Sequence, residues 1–106
     1  TVEEFSLHKN LYRFEIYKPL KRILNKINDP VYLTIDVDVL NPAEMPAVGT
    51  PEPGGISFKE LIDSVLLLKG RKINGADIVE YNPLAASPWA SGSLCAVILR
   101  ELVLVM

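Results

Sequence analysis

Cysteine and histidine are almost missing from this chain, which has one of each in 106 residues. The lone Cys95 excludes an internal disulfide and points to a reducing compartment, the cytoplasm. The lone His8 has no partner at ligand spacing, so a histidine-built metal cluster is excluded within these residues. Charge is also sparse. There are 11 Lys and Arg against 13 Asp and Glu, net −2, and neither sign forms a run. That excludes the basic footprint that nucleic acid requires and the charged tails of interaction arms. The opening Thr1–Glu4 is polar and acidic, unlike a secretory leader. The closing Leu94–Met106 is apolar but interrupted by Arg100 and Glu101, and too short to span a bilayer. Repeats and low-complexity tracts are absent too, so neither a membrane nor a nucleic acid is an expected partner.

What is present is apolar content, 49% of residues. A chain of this length makes one small domain or a piece of a larger one, with a modest core. Such a rich apolar share favours strands buried on both faces of a sheet. The chain opens on Thr1 and closes on Leu104, Val105 and Met106 without a polar cap. Both ends read as edges of a fragment or of a processed chain.

The pattern along the chain predicts an α/β fold. Thr1–Phe14 has weak periodicity and reads as a loop, with a short extended piece at Leu11–Phe14. Lys18–Ile27 reads as a helix, with Pro19 in its first turn and Leu20, Ile23, Leu24 and Ile27 on one face. Asp29 and Pro30 stop it. Val31–Leu40 is nearly all apolar or β-branched and reads as a strand. Asn41–Gly55 holds Pro42, Pro46, Pro51 and Pro53 with Gly49, Gly54 and Gly55, which makes a shaped rather than a slack loop. Ser57–Lys69 reads as a helix with a capping box from Ser57 to Glu60 and Gly70 after its end. Lys72–Tyr81 reads as the second strand. Strand, helix, strand is a right-handed crossover with parallel strands. After a loop with Pro83, a last helix begins at Ser87-Pro88 or at Ser91. It is apolar almost all round and is expected to be buried, with Cys95 as core packing.

The chemistry concentrates in Thr34-Ile35-Asp36-Val37-Asp38-Val39-Leu40. On a strand Asp36 and Asp38 point to the same side, about 6.5–7 Å apart. Two carboxylates on one face of an apolar strand need compensation, and a cation is the usual one. Ligands of open parallel sheets lie beyond the carboxyl ends of the strands, where both aspartates sit. Hard oxygen donors suit Mg, Mn or Ca. The other reading is that both aspartates cap loop backbone at the strand end. Glu80 closes the second strand at the same end, and a carboxylate there can take a planar guanidinium bidentately. Asp77, three residues back, faces the other side and reads as structural.

From Thr34 to Gly55, over 22 positions, the sequence closely resembles the signature of the ureohydrolase (arginase and agmatinase) family. That signature has a hydroxyl residue, an Asp-x-Asp, a proline, then a Gly-Thr-Pro run ending in Gly-Gly. Gly75-Ala76-Asp77-Ile78-Val79-Glu80-Tyr81-Asn82-Pro83 resembles the family's second C-terminal motif. Asn41 stands where the family most often has Asp, and Ala86 where it usually has Asp.

The resemblance implies a three-layer α/β/α fold with a parallel sheet, of which residues 1–106 form the C-terminal part. It implies hydrolysis of a guanidino substrate to urea and an amine by water activated between two Mn ions. The Pro51-Glu52-Pro53 run favours agmatine as substrate, with arginine next. Asp36 and Asp38 match metal ligands, Glu80 matches the carboxylate that takes the guanidinium, and Thr50 matches a threonine close to that glutamate, so that Glu80 and Thr50 are the expected substrate-binding residues. No residue of this chain matches a catalytic acid or base. The family's other ligands belong to upstream motifs, so these residues alone are expected to be inactive. Homo-oligomers, trimers or hexamers, are implied as well. An Asp-x-Asp phosphotransferase or glycosyltransferase using Mg or Mn is the alternative enzyme, and a non-catalytic assembly domain the alternative without chemistry.

Overall fold

The computed structural model describes residues 17–106. The predicted N-terminal loop and His8 lie outside them. Helix α1 spans Tyr17–Leu24, strand β1 Val31–Asp36, helix α2 Phe58–Leu66, strand β2 Ile73–Val79 and helix α3 Pro88–Val105. A single 3-10 turn, Val37–Val39, follows β1 directly.

The two strands pair in parallel, with Leu33 beside Ala76 and Ile35 beside Ile78. This is the expected crossover and the expected α/β fold. Leu33, Ile35, Ala76 and Ile78 share one face because strand side chains alternate. They join Leu20 and Leu24 of α1, Leu61 and Val65 of α2 and Ile98 and Leu102 of α3 in one core. All three helices therefore contribute to the same core. The opposite face holds Tyr32, 64% exposed, and Thr34, also exposed. Burial of β1 on both faces is thus not reached within these residues. Tyr32 lies flat over Gly75, where a Cβ would come within 2.8 Å of its ring. Its hydroxyl donates to Asp77 Oδ2 at 3.0 Å, which gives Asp77 the structural role expected of it.

Helix α1 ends earlier than its apolar spacing predicts. Lys26 N–H and Ile27 N–H bond three residues back, so the last turn tightens. The carbonyls of Leu24, which already takes Ile27 N–H, and of Ile27 accept from the Arg71 guanidinium at 2.6 and 2.5 Å. Arg71 also bonds Asp29 at 2.6 Å, clipping α1 to the amino ends of both strands. That pairing holds the Asp29 carboxyl below its ordinary value.

Helix α2 starts as the sequence dictates. Ser57 accepts from Glu60 N–H and Glu60 reaches back to Ser57 N–H, a complete capping box. Gly70 takes φ +86°, the left-handed stop that glycine supplies after a helix. Helix α3 starts at Pro88 after Ser87, the first of the two predicted starts, although the Ser87 side chain makes no cap bond. Only a stripe of α3 is buried: Ser91, Ile98, Leu102 and Val105. Val103 and Leu104 are 64% and 71% exposed, so the all-round burial predicted from composition fails within these residues. Cys95 is half-buried against the core, and burial pushes its thiol up.

Candidate functional site

The strand predicted through Leu40 stops at Asp36, and this changes how the two aspartates meet. Asp36 Oδ1 accepts the N–H of Asp38 at 3.1 Å and caps the 3-10 turn. Asp38 therefore does not continue the strand alternation. The turn draws it back over the strand end. The physical reason is the burial of Val37 and Leu40, fully enclosed at 0% and 1% exposure. A straight strand would send Val37 and Leu40, three residues apart, to opposite faces, whereas a turn places both inward. Capping and clustering thus coexist: one Asp36 oxygen holds backbone while Asp38 shares its neighbourhood.

Asp36 also lines an apolar cavity of about 220 Å³ with Leu33, Val39, Ile56 and Leu61. Burial there raises its pKa above the carboxylate norm, the hydrogen bond and charge of Asp38 and the charge of Glu80 raise it further, and the Asp38 N–H alone opposes them. Three carboxylates, Asp36, Asp38 and Glu80, are thus close enough to repel at the carboxyl edge of the parallel pair. This is the end where open parallel sheets hold ligands.

The proline-rich loop is pinned at both ends of its course. It closes on itself: Ile56 N–H donates to Val39 O and Asn41 N–H to Ile56 O, both at 2.9 Å. Gly55 allows this approach, since a Cβ would lie 2.5 Å from Val39 O. Asn41, the residue that departs from the family pattern, keeps a local turn by accepting from Ala43 N–H at 3.1 Å. Glu44 accepts from Phe58 N–H at 3.2 Å and so adds an anchor at the start of α2. Met45, Ala47 and Val48 are buried beneath the loop. Val48 then bridges Tyr81, and Ala47 O accepts from Asn82 N–H at 2.8 Å. The loop that leaves Asp38 therefore docks just past Glu80.

Thr50 hangs from this loop and donates to Asp38 Oδ2 at 3.1 Å. The family resemblance places the threonine close to the glutamate, and the hydrogen bond found here runs to the aspartate. Glu80 is exposed, with φ +69°. Among the described residues the structure therefore brings Asp36, Asp38 and Thr50 together, and Glu80 stands near enough for its charge to act on Asp36. Sequence reasoning passed over Glu44 and Tyr81 as anchors. Their contacts lie across the fold, and no local spacing marks them.

The donor set at Asp36 and Asp38 is hard oxygen, and its mutual repulsion is what a divalent cation relieves. The count is small. Among the described residues no group of three or more His, Cys, Asp or Glu is placed to hold a metal ion. The aspartates fit part of a metal shell and not the whole of it.

Known proteins resemble this chain in sequence and in fold. An agmatinase from Bacillus anthracis is 49% identical over 89 residues, 77% of this chain and 31% of that protein. An agmatinase from Bacillus subtilis is 40% identical over 109 residues, 96% of this chain and 38% of that protein. The chain thus spans about a third of the length of the curated relatives it matches. The crystal structure of an arginase from Bacillus subtilis superposes with a TM-score of 0.78 at 30% identity, over 91% of this chain and 34% of that one. The arginase family model matches residues 5–105. A match over nearly every residue, on a parallel pair whose carboxyl edge gathers the motif aspartates, means that the chain belongs to the arginase family.

Proposed function

We propose that this chain forms one wall of the pocket of a longer, manganese-dependent ureohydrolase, which hydrolyses a guanidino substrate to urea and an amine. Agmatine is the favoured substrate, because the curated relatives matched over most of this chain carry the name agmatinase. The observation behind the reading is the gathering of Asp36, Asp38 and Glu80 at one strand edge, where each carboxylate raises the cost of ionising Asp36.

In this reading Asp36 and Asp38 would hold part of a pair of divalent ions. Bound there, the ions would lower the pKa of a water and offset negative charge developing on the substrate. The work of the chain's own residues is positioning. Asp36 fixes Asp38 through the backbone N–H, and Thr50 fixes the outer oxygen of Asp38. The exposed Glu80 carboxylate pairs with the planar guanidinium, two N–H donors to two oxygens. A dinuclear shell takes about four to six protein ligands, so these residues alone give urea only at background.

The test is urea release by the full-length protein from agmatine, and from arginine in parallel, with Mn²⁺ supplied. Asp36→Ala and Asp38→Ala are expected to reduce it to background, and Glu80→Ala to raise KM strongly. Full activity in both aspartate variants would sink the assignment. Turnover of a phosphate ester or sugar nucleotide without urea would favour the other Asp-x-Asp chemistry, and no turnover of any of these a role in assembly.

A further inference from the structure

Among the described residues only Glu80 and Ser87 have positive φ without being glycine, at 69° and 21°. They bracket one short loop. Such backbone persists only where the surroundings over-determine it, and that is common where a side chain must be aimed. The residue between the strained Glu80 and the rest of this loop is Tyr81, and it is held at three points. Its backbone bridges Val48 in antiparallel fashion, and its neighbour Asn82 donates to Ala47 O at 2.8 Å. Its hydroxyl donates to Pro88 O at 2.9 Å, which closes the loop just beyond Ser87. The hydroxyl rests over Gly92 of α3, where a Cβ would stand 3.1 Å from it.

We infer that Tyr81 is a positioning residue for substrate binding: its hydroxyl, tied to Pro88 over Gly92, holds Glu80 in its left-handed backbone and so aims the Glu80 carboxylate at the guanidino group. The inference rests on the proposed role of Glu80. In this inference Tyr81 acts through the backbone of its neighbour, since its hydroxyl is spent on Pro88 O. The proline-rich loop supports it from one side and α3 from the other. Gly92 leaves the space that the hydroxyl fills.

The experiment uses the full-length protein with Mn²⁺ and agmatine. Tyr81→Phe removes the hydroxyl and keeps the ring. KM is expected to rise about three- to tenfold with kcat and the Mn²⁺ requirement within about twofold, the signature of lost binding rather than lost chemistry. Gly92→Ala crowds the hydroxyl and is expected to reproduce the rise. In the Tyr81→Phe background it adds almost nothing, because no oxygen is left to crowd, and this non-additivity marks the two residues as one unit. If Glu80→Gln raises KM but Tyr81→Phe leaves it within about twofold of the parent, the inference on Tyr81 falls and the site reading stands. Equal losses in kcat and Mn²⁺ response for Tyr81→Phe would also overturn it, as general damage. If Glu80→Gln leaves KM unchanged, both fall together.

Discussion

At the scale of single residues, hydrogen bonds decide what the carboxylates can do. Asp36 and Asp38 are separated by a single residue, Val37, yet they play different parts. Asp36 is desolvated and caps a turn, and Asp38 is steered by Thr50. A hydroxyl that orients a ligand from behind commonly matters about 10–100-fold for metal affinity or activity. Thr50 is exposed, so the low end applies. Thr50→Val is expected to raise the Mn²⁺ concentration for half-maximal urea release about tenfold. Thr50→Ser, which keeps the donor, should stay near the parent. An unchanged Mn²⁺ response in Thr50→Val would show that the hydroxyl does not steer Asp38.

At the scale of elements, clips between ends matter more than helix propensity. Helix α1 has only eight residues, too few to be stable alone, and its C-terminal carbonyls are taken by Arg71. Arg71→Ala is expected to lower Tm by about 5 °C or more, since it removes the guanidinium bonds to those carbonyls and releases Asp29. The pH dependence follows from the sign of the Asp29 shift. Its folded pKa lies below the ordinary 3.8, so its contribution is present above that value and fades as pH falls through the depressed one. The gap in thermal stability between the parent and Arg71→Ala should therefore narrow in acid below pH 3.8. A gap that stays constant down to the lowest workable pH would mean that Asp29 contributes nothing.

Across the whole molecule, the limiting quantity for the proposed metal site is the number of ligands. Two strands with helices on one core leave Tyr32 and Thr34 uncovered, along with Val103 and Leu104 on α3. The carboxyl edge is equally one-sided, with two aspartates where the proposed dinuclear site would need about four to six ligands. Ligand-linked stabilisation grows with the logarithm of concentration over Kd. Mn²⁺ at about 1 mM is therefore expected to raise the Tm of this chain by no more than about 2 °C, and that of the full-length protein much more. A large shift for the 106-residue chain, lost in Asp36→Ala, would show that these residues hold the ion unaided.

What the sequence alone determined is local in origin. The Ser57–Glu60 capping box, the stop at Gly70 and the crossover from β1 to β2 follow from hydrogen-bonding side chains and periodicity, which act over a few residues. The motif residues Asp36, Asp38, Thr50 and Glu80 were also legible, because Gly-Thr-Pro and Gly-Gly spacing is distinctive in the chain itself. The tertiary structure decided the rest. Val31–Leu40 has the composition of one strand, and only the enclosure of Val37 and Leu40 bends its end into a turn that draws Asp38 onto Asp36. Helix α3 is apolar almost all round, and only the core it meets selects the stripe that is buried. Tyr81 and Glu44 carry no local mark, since their partners, Pro88 and Val48 for one and Phe58 for the other, are brought near by the fold. Short-range preferences are written residue by residue, while contacts between distant segments exist only once the core has formed.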